Sequence, residues 1–343
     1  MTTCDVDVVV KFGGSAITKK DTFETLDIEG LNYAVDLIDC CHRNKLTCVI
    51  VHGAGSFGHH QAKEYKVNNG WTGMSENKIK HVKKGFYLTR QSVTKLHQTV
   101  LSALLDKDIP AVGLSACGIW KTLDGKVISH DLNPIVEIIK NGFIPLLHGD
   151  CIFDDNKGCS ILSGDTIIQK MSESFNVKRI VFLTSVEGIF NKSPTECSDA
   201  VLIKHIHVDR NGLIVCDPDS EQNKNVCVKQ GDEGTDNSTH RFHKGLESVT
   251  EDQKSELGSE LGNEGRNDVD IETKLNDKDV TGGMLLKLQC AFDIVKINEG
   301  RTKVFVSQVG SDHSKAICLH GHCDQECNKC GTEILYSSDQ MGT

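Results

Sequence analysis

Apolar residues along this chain fall into two kinds of run. Short β-branched stretches at residues 8–12, 48–52, 111–114, 143–148, 179–184 and 303–307 are each closed by glycine or a small polar residue, which predicts buried strands. Longer stretches at 28–43, 84–106, 134–140, 165–175 and 284–297 place apolar residues every three or four positions, which predicts helices. Strand and helix alternate. That order predicts an α/β fold, an open αβα sandwich with a mainly parallel central sheet. In such sheets ligands gather beyond the carboxyl ends of the strands, so glycine-rich turns just after strands are where chemistry is expected.

One stretch breaks the pattern. Between residues 231 and 279 the only aromatic is Phe242, aliphatics are isolated, and Gly, Ser, Asn, Asp and Glu dominate. Such a composition offers too little apolar area to offset chain entropy. An acidic, disordered insertion is therefore expected at about 211–279, a span with 17 acidic against 8 basic side chains. The whole chain of 343 residues carries a net charge of -10, so the body outside that span is close to neutral. A neutral body argues against a general nucleic-acid binder, and strong anion binding would have to come from a few placed lysines. No apolar run approaches the roughly 18 residues of a membrane span. The 15 cysteines are scattered singly through apolar stretches, and the first ten residues lack a basic-then-apolar layout. Free thiols in a cytoplasmic protein are expected.

Four segments carry candidate chemistry. The first strand runs into Lys11-Phe12-Gly13-Gly14-Ser15, with Lys20 nine residues after Lys11; paired glycines let backbone N–H groups approach a phosphate, and the lysines add charge. The bland reading is a strand-ending turn with two solvated lysines. The second strand ends in His52-Gly53-Ala54-Gly55-Ser56-Phe57-Gly58-His59-His60. This satisfies the dinucleotide spacing Gly-x-Gly-x-x-Gly and nearly satisfies a P-loop. The P-loop lysine is missing, and the polar stretch at 65–80 is not the strand a dinucleotide site needs. What remains is a glycine-rich anion cradle at a helix start, with His59 placed to donate to a bound anion. His60, His52 and His148 read instead as caps or surface groups. The third segment joins His148-Gly149-Asp150 to Ser163-Gly164-Asp165, where Asp165 alone would be just an N-cap. Thr184 to Gly188 follows a strand, and Gly282-Gly283 with Lys287 forms the last landmark.

Taken together, Lys11-x-Gly13-Gly14-Ser15 with Lys20, the run from His52 to His59, Ser163-Gly164-Asp165, Thr184 to Gly188, and Gly282-Gly283 with Lys287 resemble the amino acid kinase superfamily. Within it they are most similar to the isopentenyl phosphate kinase family, whose specific mark is Gly-Ser-Phe-Gly-His. The resemblance implies ATP-dependent phosphorylation of isopentenyl phosphate, with Mg2+ and a homodimer. It also implies an acceptor-binding lobe at 1–175 and an ATP-binding lobe at 176–343. Carried over by position, Lys11, Gly13, Gly14 and Ser15 would hold the ATP phosphates and Lys20 would stabilise the transferring group. Asp165 would orient the lysines. Ala54, Gly55, Gly58, His59 and Gly164 would meet the acceptor phosphate, Gly55 also facing ATP; Thr184, Gly188, Gly282 and Lys287 would bind nucleotide. Ser185 and Glu187 stand where relatives usually show Asp. An isoprenoid tail would find its apolar pocket near Phe86 to Val93, although core packing explains those residues equally well.

Two other readings stay open: a kinase of another small phosphate, phosphonate or carboxylate, and an NAD-dependent oxidoreductase built on Gly53 to Gly58. A C-terminal run, Cys318-x-His320-x-His322-Cys323-x-x-x-Cys327-x-x-Cys330, has zinc-ligand residue types. True sites usually show two separated pairs, so free thiols are expected and no metal is assigned.

Overall fold

β1 (Asp5–Phe12) is the spine of the molecule. Alternate residues of this strand feed different layers: Val8, Val10 and Phe12 pack on one side of the sheet and Val9 on the other, as a strand buried on both faces requires. The structure is a computed structural model that describes residues 4–191, 194, 197–198, 200–210, 214–216, 227–228, 283–323 and 331–337.

After β1 come α1 (Gly14–Ile17), α2 (Ile28–Arg43), β2 (Cys48–His52), α3 (Gly55–Glu64), α4 (Glu76–Leu105) and β3 (Ala111–Gly113). Next are β4 (Lys121–Leu123), β5 (Lys126–Ser129), α5 (Asn133–Lys140), β6 (Ile144–His148), β7 (Asp150–Asp154), β8 (Gly158–Leu162) and α6 (Gly164–Ser174). The chain continues through β9 (Asn176–Thr184), β10 (Ile189–Phe190), β11 (Leu202–Ile203), β12 (His205–Val208), β13 (Ile214–Cys216) and β14 (Cys227–Val228). It closes with α7 (Gly283–Ile297), β15 (Lys303–Gln308), α8 (Asp312–His320) and β16 (Thr332–Tyr336).

Among the described residues, ten strands form one sheet in the order β14-β13-β12-β16-β15-β9-β1-β2-β6-β3. Its centre is parallel, and antiparallel pairing is confined to β15–β16, β12–β13 and β13–β14. Helices cover both faces. Leu31 and Ile38 of α2, Leu96 and Val100 of α4 and Ile317 of α8 pack on one; Ile135 of α5, Ile167 and Met171 of α6 and Ile294 of α7 pack on the other. Each such side chain contributes about 1.5–3 kcal/mol through burial. This is the αβα sandwich expected from the alternation. The sheet runs unbroken across residue 175, because β9 pairs directly with β1.

α2 starts where the sequence says it should: the Asp27 carboxylate accepts from the Gly30 N–H at 3.0 Å, and His42 and Arg43 sit in the last turn. α4 begins eight residues before the predicted 84, behind Ser75. Its first turns carry exposed Lys78, Lys80, Lys83 and Lys84, so no apolar period announces them. A second sheet, β5-β4-β7-β8, was not expected from the pattern either. Of the predicted acidic insertion, 214–216 and 227–228 extend the main sheet as antiparallel strands; the rest lies outside the described residues, as do Gly282, Cys327 and Cys330.

Candidate active site

The carboxyl ends of β9, β1, β2 and β6 lie side by side, and backbone hydrogen bonds lock the turns that leave them. Gly13 N–H donates to Leu183 O at 2.9 Å, Gly53 N–H to Phe12 O at 2.9 Å, and Gly149 N–H to His52 O at 3.1 Å. Two of these turns touch. A Cβ on Gly14 would lie 2.6 Å from Gly55 Cα, and one on Gly55, whose φ is +50°, would lie 2.1 Å from Thr18 Oγ1. Glycine is required at both places by the close approach of the turns themselves. Thr18 Oγ1 bridges them, donating to Gly14 O at 2.7 Å and accepting from Ser56 N–H at 3.0 Å. Ser15 is half-buried in the first turn of α1.

Lys11 ends its course almost wholly buried, with its ammonium on the carboxylate of Asp165 and 5.8 Å from the centre of the Phe182 ring. A buried ammonium demands such a partner. Asp165 is delivered by the first turn of α6, whose N-cap Ser163 accepts from Thr166 N–H at 3.1 Å. The turn lies close at Gly164: a Cβ there would sit 3.1 Å from Val51 Cγ1 and in ordinary contact, at 3.4 Å, with Lys11 Cε and His52 O. α7 flanks α6 and brings in Lys287, also buried. One turn further on, the Cys290 thiol donates to Asp165 O at 3.2 Å. Burial first, and Asp165 next, push that thiol well above its ordinary value, while Lys11 and Lys287 both pull it back. Two cations, Lys11 and Lys287, and two carboxylates, Asp165 and Asp293, thus act on that thiol.

On the opposite side, α3 carries the predicted acceptor residues. Gly58 faces α4, where a Cβ would meet Ala54 Cβ at 2.5 Å and Val93 Cγ2 at 3.1 Å. His59 is half-buried and His60 exposed. Lys20 is exposed in the hairpin between α1 and α2. Beside the central corner, Thr184 is buried and uses its hydroxyl locally, donating to Val186 O at 2.6 Å. Gly188 lies against β16, its missing Cβ only 2.7 Å from Thr332 Oγ1. The structure therefore brings Lys11, Gly13, Gly14, Gly55, Gly164, Asp165 and Lys287 together, with Thr184 at the neighbouring strand end.

Sequence reasoning missed a buried polar layer behind the acceptor turn. His52 and His148, opposite each other in the β2–β6 register, stack at 5.4 Å between ring centres. His97 of α4 joins them, its Nδ1 3.1 Å from His52 Nε2 and its ring 4.5 Å from that of His148. Burial holds all three below the usual imidazole range, His97 at about 3. They are neither caps nor surface groups. Next to them Arg90 Nη1 donates to Asp150 at 2.7 Å and to Ser115 Oγ at 3.2 Å, and burial raises the Asp150 carboxyl. The one signal in the sequence was the shared His-Gly dipeptide at the ends of two strands. On the same face of α4, where the tail pocket was expected, Phe86 packs on Trp71 and Phe153 at 5.8 and 5.5 Å, and Arg90 is ion-paired.

The dinucleotide reading fails on topology. β2 is flanked by β1 and β6, and the chain after Gly53 to Gly58 runs through two helices before reaching edge strand β3, so the strand that follows the glycine turn does not lie beside β2 to receive a ribose. Cys318 of the C-terminal run is buried in the main core rather than grouped with His320 and His322. Among the described residues no group of three or more His, Cys, Asp or Glu side chains is arranged to hold a metal ion, and no helix is long and apolar enough to cross a membrane.

Residues 8–215 match the amino acid kinase family. The chain is 37% identical over 242 residues to an isopentenyl phosphate kinase of Arabidopsis thaliana, covering 60% of this chain and 71% of that one. It is 33% identical over 199 residues to the isopentenyl phosphate kinase of Methanothermobacter thermautotrophicus, covering 57% and 73%. An acetylglutamate kinase of Clostridium kluyveri is 25% identical over 203 residues, covering 53% and 65%. Among solved structures, the T. acidophilum isopentenyl phosphate kinase product complex superposes with a TM-score of 0.62 at 20% identity, over 96% of this chain and 99% of that one. UMP kinase from Bacillus anthracis gives 0.51 at 12% identity, over 96% and 95%. At these identities the structural likenesses establish the fold.

Proposed function

The chain belongs to the amino acid kinase family and, within it, to the isopentenyl phosphate kinases, and from that premise we infer that it transfers the γ-phosphoryl group of ATP to isopentenyl phosphate, giving isopentenyl diphosphate and ADP. The observation that carries the reading is the buried Lys11–Asp165 pair beside the joined Gly14 and Gly55 turns, with buried Lys287 acting on the Cys290 thiol that donates to Asp165 O. Such a corner is built to hold negative charge in place, and in-line phosphoryl transfer depends mostly on positioning and charge neutralisation.

Lys11, with Gly13, Gly14 and Ser15, holds the ATP phosphates, and Asp165 fixes the direction of the Lys11 ammonium. Thr184, Gly188, Gly282 and Lys287 complete the nucleotide side. Ala54, Gly55, Gly58, His59 and Gly164 receive the acceptor phosphate. Its oxygen attacks the γ-phosphorus as the bond to the β-γ bridging oxygen breaks, and the electron pair leaves with ADP. An acceptor phosphate is already ionised near neutral pH, so no general base is required. Lys20 neutralises the charge that spreads over the transferred group.

The donors present fit a magnesium ion carried on ATP. Asp165 is a carboxylate placed at the corner by the contacts above, and Lys11 engages it; magnesium commonly takes one or two carboxylates together with substrate phosphates. Asp165 and the ATP phosphates would hold it, and it would supply further neutralisation of their charge. We also propose that the segments 1–175 and 176–343 serve as acceptor and nucleotide lobes. A homodimer is supported by exposed Leu105 and Phe143, which flank the edge strand β3. The free thiols among the described cysteines support a cytoplasmic setting. ADP release measured with isopentenyl phosphate, dimethylallyl phosphate, carbamate, glutamate and UMP tests the substrate assignment.

A further inference from the structure

Lys20 sits in a hairpin whose base is closed by the Thr18–Leu26 bridge and by Lys19 N–H donating to Thr25 O at 3.0 Å. The far leg of this hairpin is anchored to both α3 and α4. Thr25 exchanges hydrogen bonds with Ser56 Oγ of α3 at 3.3 and 3.2 Å, and Glu24 pairs with Lys95 of α4 at 2.5 Å. The leg carrying Lys20 is held differently. His60 Nε2 donates to Lys20 O at 3.2 Å, and the His60 ring meets Phe23 edge to face, at 5.9 Å and 85°. Both contacts come from one exposed side chain on α3, one residue beyond His59.

We infer that His60 is a positioning residue for phosphoryl transfer, its ring tying the Lys20 hairpin to the helix that binds the acceptor. The inference rests on the kinase reading and on Lys20 acting at the transferred group. A carbonyl only accepts, so the bond fixes the Nε2–H of His60 as its donor, and holding Lys20 O fixes the backbone from which the lysine reaches. A lysine has many rotamers, so a displaced backbone disperses its ammonium over a wide volume. The contact touches neither substrate. Its loss should therefore appear in the chemical step and leave acceptor binding alone.

The test uses the full chain, with steady-state ADP release from ATP and isopentenyl phosphate and hydrogen–deuterium exchange at residues 19–25. His60→Ala should lower kcat roughly three- to ten-fold, the worth of one hydrogen bond, with the acceptor KM unchanged and exchange across the hairpin faster. His60→Gln should restore kcat and protection, because its amide nitrogen sits about where Nε2 does. His60→Asn should not, because its amide stops at the place of Nδ1. In a Lys20→Ala background, adding His60→Ala should cost nothing more. Wild-type kcat in His60→Ala, a loss carried by the acceptor KM, equal behaviour of the Gln and Asn variants, or an additive double variant would each overturn the inference. A wild-type protein that releases no ADP with isopentenyl phosphate would instead overturn the kinase reading, and this inference with it.

Discussion

The ammonium of Lys11 and the carboxylate of Asp165, 154 positions apart in the chain, form a nearly buried ion pair where the end of β1 meets the start of α6. Removing one partner of such a pair strands the other charge in a poor solvent, whereas replacing both by apolar groups is often tolerated. Asp165→Asn should therefore cost stability, on the order of 3 kcal/mol, and lower kcat by at least ten-fold as Lys11 loses its direction. The double variant Lys11→Met with Asp165→Leu should recover much of the stability and none of the activity. Thermal unfolding and ADP release on the same preparations separate the two effects. Full activity in Asp165→Asn would remove Asp165 from the site.

Lys20→Ala should reduce kcat far more than it weakens acceptor binding, since the proposed contact strengthens as charge moves onto the transferred phosphoryl group. Initial rates at varied acceptor concentration check this. A change confined to KM would make Lys20 a ground-state binding residue.

His59→Ala should act on the other parameter. A hydrogen bond to a charged group contributes about 1.5–3 kcal/mol, so kcat/KM for isopentenyl phosphate should fall by tens- to hundreds-fold, mainly through the acceptor KM. Asn or Gln should rescue partly, as either amide donates. The two neighbouring histidines thus separate by parameter, His59 in KM and His60 in kcat, and a swap of those effects would put the acceptor on the wrong face of α3.

The three stacked imidazoles should make the fold sensitive to mild acid. His52, His97 and His148 are held below the ordinary value by burial, His97 to about 3, so below about pH 6.5 the unfolded chain binds protons that the folded one refuses. Stability is unaffected by these groups above that pH and falls as pH drops toward their folded values. Asp150, raised by burial, works in the opposite direction, because above the ordinary carboxylate value the folded chain holds a proton there that the unfolded one has lost. Between pH 6.5 and 5 each histidine still neutral in the fold costs about 2 kcal/mol. Urea unfolding at the two pH values should show the loss, and His97→Gln should reduce it; an unchanged slope in that variant would mean His97 takes up its proton while folded.

Much of the architecture was legible because the residues that specify it are local. α2 at Ile28–Arg43 and β2 at Cys48–His52 have the predicted bounds, since an Asp27 cap and an unbroken apolar run need no distant partner. The start of α4 and the strands β4 and β5 escaped because most of their side chains face solvent, leaving no apolar period to read. At the site, the glycine pairs were visible, but the reason for them was only half visible: Gly14 and Gly55 are small because the two turns meet. The pairing of Lys11 with Asp165 spans the sheet and has no local signature; resemblance to a family located it. The histidine layer was missed because His97 reaches it from the middle of α4.

The measurement that bears most directly on the central assignment is 31P NMR of a reaction containing the protein, ATP, magnesium and isopentenyl phosphate, with N-acetylglutamate and UMP as parallel acceptors. Coupled diphosphate doublets should grow in step with ADP in the isopentenyl phosphate reaction as the monophosphate signal declines, and the other acceptors should stay largely unchanged. Acyl phosphate from N-acetylglutamate, or UDP from UMP, formed faster than any diphosphate from isopentenyl phosphate would contradict it.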